Sequence, residues 1–158
     1  MNAVEIEEAI SSGSLPWDGM KIRARIDALE KDARRLRNTR SEMSDEQYKL
    51  QARDLYSNMR ASWERALEEV GLSHVVMRHR DEIKAGNGNI QKLSALNADA
   101  CDAWYREYSK CCDYVSAHDS SRGRNQEMPE PEEIIQDVEA LNTWVRDLRS
   151  AQNSVGND

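Results

Sequence analysis

The chain has 158 residues, 39% of them hydrophobic and 32% charged, with no phenylalanine but four tryptophans and five tyrosines. That length makes one domain with a real core the default reading and leaves room for two only as small bundles. A net charge of -7 and a pI near 5.1 argue against direct nucleic-acid binding by the chain alone, because counterion release needs a surplus of lysine and arginine on one surface.

The charge is unevenly placed. Residues 1–80 hold 14 basic and 14 acidic side chains, whereas residues 81–158 hold 8 and 15. Met1–Ile10 is acidic and lacks the apolar run of a signal peptide, and no stretch approaches the ~20 apolar residues of a membrane span. A cytoplasmic protein with no membrane role is expected. Cys101, Cys111 and Cys112 are odd in number, two of them adjacent, which speaks against a disulfide framework.

In chain order, Ala3–Ile10 has the makings of a short helix that Ser11–Ser14 would end. The first clear helix is predicted to open at Pro16 or Trp17, where proline suits a first turn. Ile22, Ile26, Leu29, Ala33 and Leu36 recur at spacings of 4, 3, 4 and 3, a seam of heptad type about two and a half heptads long. Arg34, Arg35, Arg37 and Arg40 lie off that seam among Glu30, Asp32 and Glu42 and read as a solvated face.

Ser44-Asp45-Glu46-Gln47 has the form of a capping box. The helix it opens carries Tyr48, Ala52, Leu55, Met59, Trp63, Ala66 and Val70 inward, with Glu64-Arg65 and Glu68-Glu69 as its outer face and Gly71 as C-cap. Two such helices joined by a short turn pack antiparallel. A shorter helix is predicted over Ser73–Lys84, around Val75, Val76 and Met77. The Gly86-Asn87-Gly88-Asn89 loop ends it.

A fourth helix is predicted from Asn97, turning Cys101, Trp104, Tyr105, Tyr108, Cys111, Cys112 and Val115 inward. After an exposed connection ending in Met128-Pro129-Glu130-Pro131, the last helix opens with acidic residues at its positive terminus. Its stripe is Ile134, Val138, Leu141, Val145 and Leu148, with Trp144 alongside, and it fades after Arg149. The fold class is therefore all-α, a bundle of about five helices with heptad-like antiparallel hairpins. An N-terminal segment covers 1–15, a single helical domain 16–152, and a disordered tail 153–158.

The search for chemistry is mostly negative. The chain has no phosphate-binding glycine loop, no H-E-x-x-H and no Cys-x-x-Cys, so no cofactor, metal or catalytic residue is assigned. His118-Asp119 has a metal-site flavour, but a site needs three or more converging ligands. No histidine has a glutamate three residues upstream, which removes a ferritin-like di-iron bundle. The neighbouring Cys111 and Cys112 sit late in a helix, where the dipole does not favour a thiolate, and a core role is expected for them.

Several segments in one order carry a resemblance. Leu15-Pro16-Trp17, then Leu55-Tyr56, Arg60 and Ser62 to Val70, then Val75-Val76 and Arg80, then His118-Asp119, Pro129 to Ile134, and Asp137 to Leu141 with Trp144-Val145 run through residues 15–149. Together they resemble the C-terminal helical region of bacterial coiled-coil AAA/ABC-type ATPases, the SMC- and RecF-like proteins with their anticodon-nuclease-like group, found in antiphage defence islands. The motifs of the ATPase core that precedes that region are not found in these 158 residues, so a free-standing version of the region is expected, and the Gly86–Asn89 loop departs from the more basic connection expected.

The resemblance implies a noncatalytic accessory subunit of an SMC-like ATPase complex in antiviral defence, acting by protein–protein interaction. Its partner would be a P-loop ATPase subunit, with a homo-oligomer also open. Trp63, Trp104 and Trp144 are the candidate partner-binding anchors and Arg78 and Arg80 the candidate polar contacts. The alternative is a stand-alone acidic regulator or inhibitor, antitoxin-like or phage-encoded, using Glu130, Glu132 and Glu133 against a basic protein site.

Overall fold

The computed structural model describes residues 17–116 and 127–155. It is all-α, with no strand among the described residues. Helix α1 spans Ile22–Thr39, α2 Asp45–Ala66, the short α3 Asn89–Lys92, α4 Ala98–Ser116 and α5 Pro131–Val155. The N-terminal segment 1–15 and His118-Asp119 lie outside the described residues.

The predicted seams are what packs. Ile22, Ile26, Leu29, Ala33 and Leu36 of α1 are buried together with Tyr48, Ala52, Leu55, Met59, Trp63 and Ala66 of α2 and with Ile134, Val138, Leu141, Val145 and Leu148 of α5. The capping box forms as read: the Gln47 amide donates to the Ser44 hydroxyl (3.2 Å) and the Ser44 amide to the Gln47 side chain (2.9 Å). Asn97 caps α4 through the Ala100 amide (2.9 Å).

Pair contacts fix the topology. Trp104 meets Trp63 and Tyr114 meets Tyr56, so α4 runs antiparallel to α2. Trp144 meets Ala100 and Asp137 meets Lys110, so α5 runs antiparallel to α4. Tyr56 with Asp137, Trp63 with Trp144 and Val70 with Gln152 run in the same sense and place α2 and α5 parallel across the core. The result is an up-down-up-down ring in the order α1, α2, α4, α5.

Six local expectations are corrected. The first helix begins at Ile22 rather than at Pro16 or Trp17, because Trp17–Gly19 is a separate 3-10 turn. Arg25 stacks over the Trp17 ring (5.1 Å) and donates to the Met20 carbonyl (3.0 Å), which folds that turn back on α1.

The predicted helix over 73–84 is irregular backbone. Ser73 and His74 take left-handed φ values of 48° and 60°, which end helical winding. Val75 and Met77 then point inward while Val76 points out, a period of two instead of 3.6.

Glu68 and Glu69 are not on an outer face. Helix α2 closes with a π turn, Leu67–Gly71, in which the Leu72 amide reaches the Leu67 carbonyl (2.6 Å). The wider turn buries four successive residues, Glu68 to Gly71.

On α4 the inward row is Trp104, Tyr108, Cys111 and Val115, with Tyr105 69% exposed and Cys101 exposed, since both fall on the outer flank of that row. Helix α5 continues past Arg149 to Val155, and the Gln152 amide donates to the Val70 carbonyl (2.5 Å).

Gly71 is not in the left-handed conformation of a C-cap. A Cβ there would meet Leu67 Cδ1 at 3.0 Å and the Trp144 ring at 3.3 Å, so the residue is small because α5 passes close by. We therefore expect Gly71→Ala to destabilise the fold by about 1–3 kcal/mol through overpacking. Urea unfolding checks this; an unchanged midpoint would show that Trp144 yields freely.

Candidate protein-binding site

The three candidate tryptophans converge. Trp63 of α2 is fully buried and lies edge-on to Trp144 of α5, with ring centroids 5.7 Å apart and planes at 65°. Trp104 of α4 is half-buried, stacks on Tyr108 (4.5 Å, 17°) and donates its indole N–H to the Trp63 carbonyl (2.9 Å). Trp144 donates to the Ala100 carbonyl (2.9 Å). Trp63 and Trp144 are largely covered by the bundle itself, so neither presents a whole ring to a partner.

Arg78 and Arg80 hold the irregular segment in place. The Arg78 amide donates to the Glu68 carboxylate (3.2 Å), and its guanidinium pairs with the same group and with Glu64 (3.7 Å). Arg80 donates to the His74 carbonyl. Arg78 stays largely exposed at its end, whereas Arg80 is half-buried.

Two of them, Trp63 and Trp144, lie under a groove that Trp104 does not line. The other edges of the ring pack along longer lines, with a smaller, polar groove of about 180 Å³ between α1 and α2, whereas α4 and α5 meet along a shorter line and leave a cleft of about 580 Å³ between them. Trp63, Trp144 and Leu148 lie at its bottom, and Ala100, Ala103 and Ala140 leave space above them. Ala95, from the 3-10 turn Leu93–Ala95, and Asn97 line one end.

The walls are acidic. Asp99 and Glu107 of α4 and Glu139 and Asp147 of α5 line the cleft, with Arg106 the basic residue among its lining. Arg106 leans on Glu107 (3.5 Å), its own sequence neighbour, and Arg146 on Asp147 (3.8 Å); such exposed pairs hold little. The sequence carried a signal for this site that periodicity reading missed: α5 has a second face of small residues at helical spacing, Ala140, Thr143 and Ala151, beside the apolar stripe.

Below the groove, the core contains a polar node that sequence reasoning did not find. Asp137, one turn from Ile134 on α5, is buried and accepts from the Tyr56 hydroxyl (2.6 Å) and from Lys110 Nζ (2.9 Å). Burial, with the Asp137 hydrogen bond, drives the Tyr56 phenol far above its ordinary range. Burial opposes the Lys110 charge, yet the hydrogen bond and charge of Asp137 outweigh it and leave that amine raised. Burial also pushes the Cys111 thiol up to about 12, which makes it an inert core residue.

Among the described residues, no three His, Cys, Asp or Glu side chains gather as a metal site would require, and no helix is long and apolar enough to cross a membrane. No protein-family model, curated protein or solved structure matches the chain.

Because Cys111 and Tyr56 have folded-state pKa values above their unfolded ones, their contributions are complete below the unfolded values, ~8.5 and ~10, and are lost as pH rises above them. Unfolding free energy is expected to fall from about pH 9 upward, by up to about 1.4 kcal/mol per pH unit for each group. Cys111→Ala should flatten the first part of that fall, and Tyr56→Phe should lessen the part above pH 10, to which Tyr48, Tyr108 and Tyr114, also raised by burial, contribute. Equal stability at pH 8.5 and 10.5 would contradict the buried, neutral state of both groups.

Proposed function

We propose that this protein is a noncatalytic helical interaction subunit that works in the cytoplasm by holding another protein, and that the partner is an SMC-like P-loop ATPase of a bacterial antiphage system. The observation that carries the interaction reading is the α4–α5 edge, an apolar-floored cleft with acidic walls, about three times the volume of the polar groove between α1 and α2. A four-helix ring gains by closing all of its edges, and a cleft of this size leaves apolar side chains only partly covered. The identity of the partner rests on the resemblance of residues 15–149 alone.

A second reading has an observation of its own. Glu130, Glu132 and Glu133 cluster at the start of α5, all exposed, with Glu133 only loosely paired to Lys110 (3.7 Å). An acidic regulator of a basic protein site would present such a group.

Trp63 is unsuitable as a probe, since emptying a fully buried indole site would cost about 3–5 kcal/mol, a large share of the stability of a domain, and confound lost binding with lost folding. Tagged protein purified from its native host, with mass spectrometry and sizing, separates the readings. Recovery of a P-loop ATPase at fixed stoichiometry is the expected result. Recovery of the chain alone would overturn the accessory-subunit reading, and recovery of a different partner released by charge reversal at Glu130, Glu132 and Glu133 would favour the regulator.

A further inference from the structure

The groove's dimensions and charge define what it accepts. Along α5 its lining runs from Gln136 to Ala151, at helical spacing, which is about 22 Å of helix axis. Along α4 it runs from Asp99 to Glu107. An occupant of about 15 residues in helical form spans that length. Ala100, Ala103 and Ala140 between the walls are only partly covered; they let a helix backbone come close and supply the apolar surface, while Trp63, Trp144 and Leu148 pack beneath them.

The walls select the sign of charge. Four carboxylates and one guanidinium line the groove, and among the described residues their ion pairs are long ones between sequence neighbours, Arg106 with Glu107 and, from outside the lining, Arg146 with Asp147. A helix with Lys or Arg flanking its apolar stripe would pair with both walls at once, whereas an acidic helix would meet like charge on either side. The described part of a second copy of this chain does not fit. None of its helices exposes more than one large apolar side chain: Leu50 on α2, Ile90 on α3 and Tyr105 on α4 are the exposed ones.

We propose that the α4–α5 groove receives a basic amphipathic helix of a partner protein, its apolar stripe on Ala100, Ala103 and Ala140 and the accessible edge of Trp144, and its cationic flanks against Asp99, Glu107, Glu139 and Asp147. This rests on the reading of the protein as an interaction subunit and adds the chemistry of the segment it holds. Binding is a hydrophobic contact between two charged rails, so it needs both the stripe and the flanks. Salt weakens it without abolishing it.

The test uses the full chain and three 18-residue peptides: a helical Leu/Lys amphipath, its Leu/Glu counterpart, and a Ser/Lys peptide with the same charge and no leucine. Calorimetry should give saturable one-to-one binding of the Leu/Lys peptide, at least tenfold weaker binding of Ser/Lys, and none of Leu/Glu. Ala140→Trp, which fills the cleft, and the exposed pair Glu139→Lys with Asp147→Lys should each weaken Leu/Lys binding at least tenfold. Glu46→Lys with Asp54→Lys, on α2 outside the groove, should change it less than twofold.

Equal weakening by the α2 pair, or no saturable binding, would overturn the proposal by reducing the effect to general charge attraction. Circular dichroism confirms that each variant is folded, and the charge-reversed pair keeps the test decisive if Ala140→Trp does not fold. Capture of the native partner separates the two readings. A partner retained by both groove variants would leave the interaction subunit standing and remove the groove from it, whereas absence of any partner with wild-type protein would remove the subunit reading itself.

Discussion

The arrangement depends on one buried carboxylate. Glu69, 5% exposed, sits in the π turn that closes α2 and accepts the amide of Ile22 (2.9 Å), the first residue of α1. It also pairs with Arg65 one turn back (3.1 Å) and with Arg149 of α5 (3.7 Å). One side chain thereby satisfies a helix N-terminus that has no local cap and joins three of the four long helices at one end of the ring. A carboxylate removed from water is tolerable only with such a set of donors, so wherever α2 ends, α1 must begin against it.

The node at Asp137 plays the same part at another level. Apolar seams alone permit helices to slide by a turn, because leucine, isoleucine and valine fit several neighbours nearly as well. The Tyr56–Asp137–Lys110 contacts do not, since a one-turn slip would strand a buried hydroxyl and a buried carboxylate. With Glu69 at one end and Asp137 toward the other, α2, α4 and α5 are fixed in register. The three tryptophans can then meet at a single height, and Trp63 and Trp144 lie under one cleft.

How much of this was legible in the sequence follows from the range of the forces involved. The heptad seams of α1, α2 and α5 and the Ser44 capping box are local patterns with one low-energy outcome, and they formed as read. The Asn97 cap is of the same kind. The segment after Gly71 is not legible from periodicity, because Val75, Val76 and Met77 look equally apolar in a helix and in an extended strip; the left-handed turn at Ser73 and His74 decides between them, and neither residue type announces it. Glu68 and Glu69 at helical spacing look like any exposed pair, and only the extra residue of the π turn swings them inward. The cleft was least visible, since it is defined by side chains that are absent: alanines where a closed edge would carry leucines.

The tryptophan cluster has an optical consequence. Trp63 and Trp144 lie 5.7 Å apart with their planes inclined at 65°, and Trp104 is hydrogen-bonded to the backbone of the first. Transition dipoles this close and this skewed couple, so the folded chain should carry a paired band of opposite signs in its ultraviolet circular dichroism. The chromophores responsible form the base of the cleft. The molecule thus contains a label-free gauge of what rests there, and it needs no engineered fluorophore to register an incoming helix.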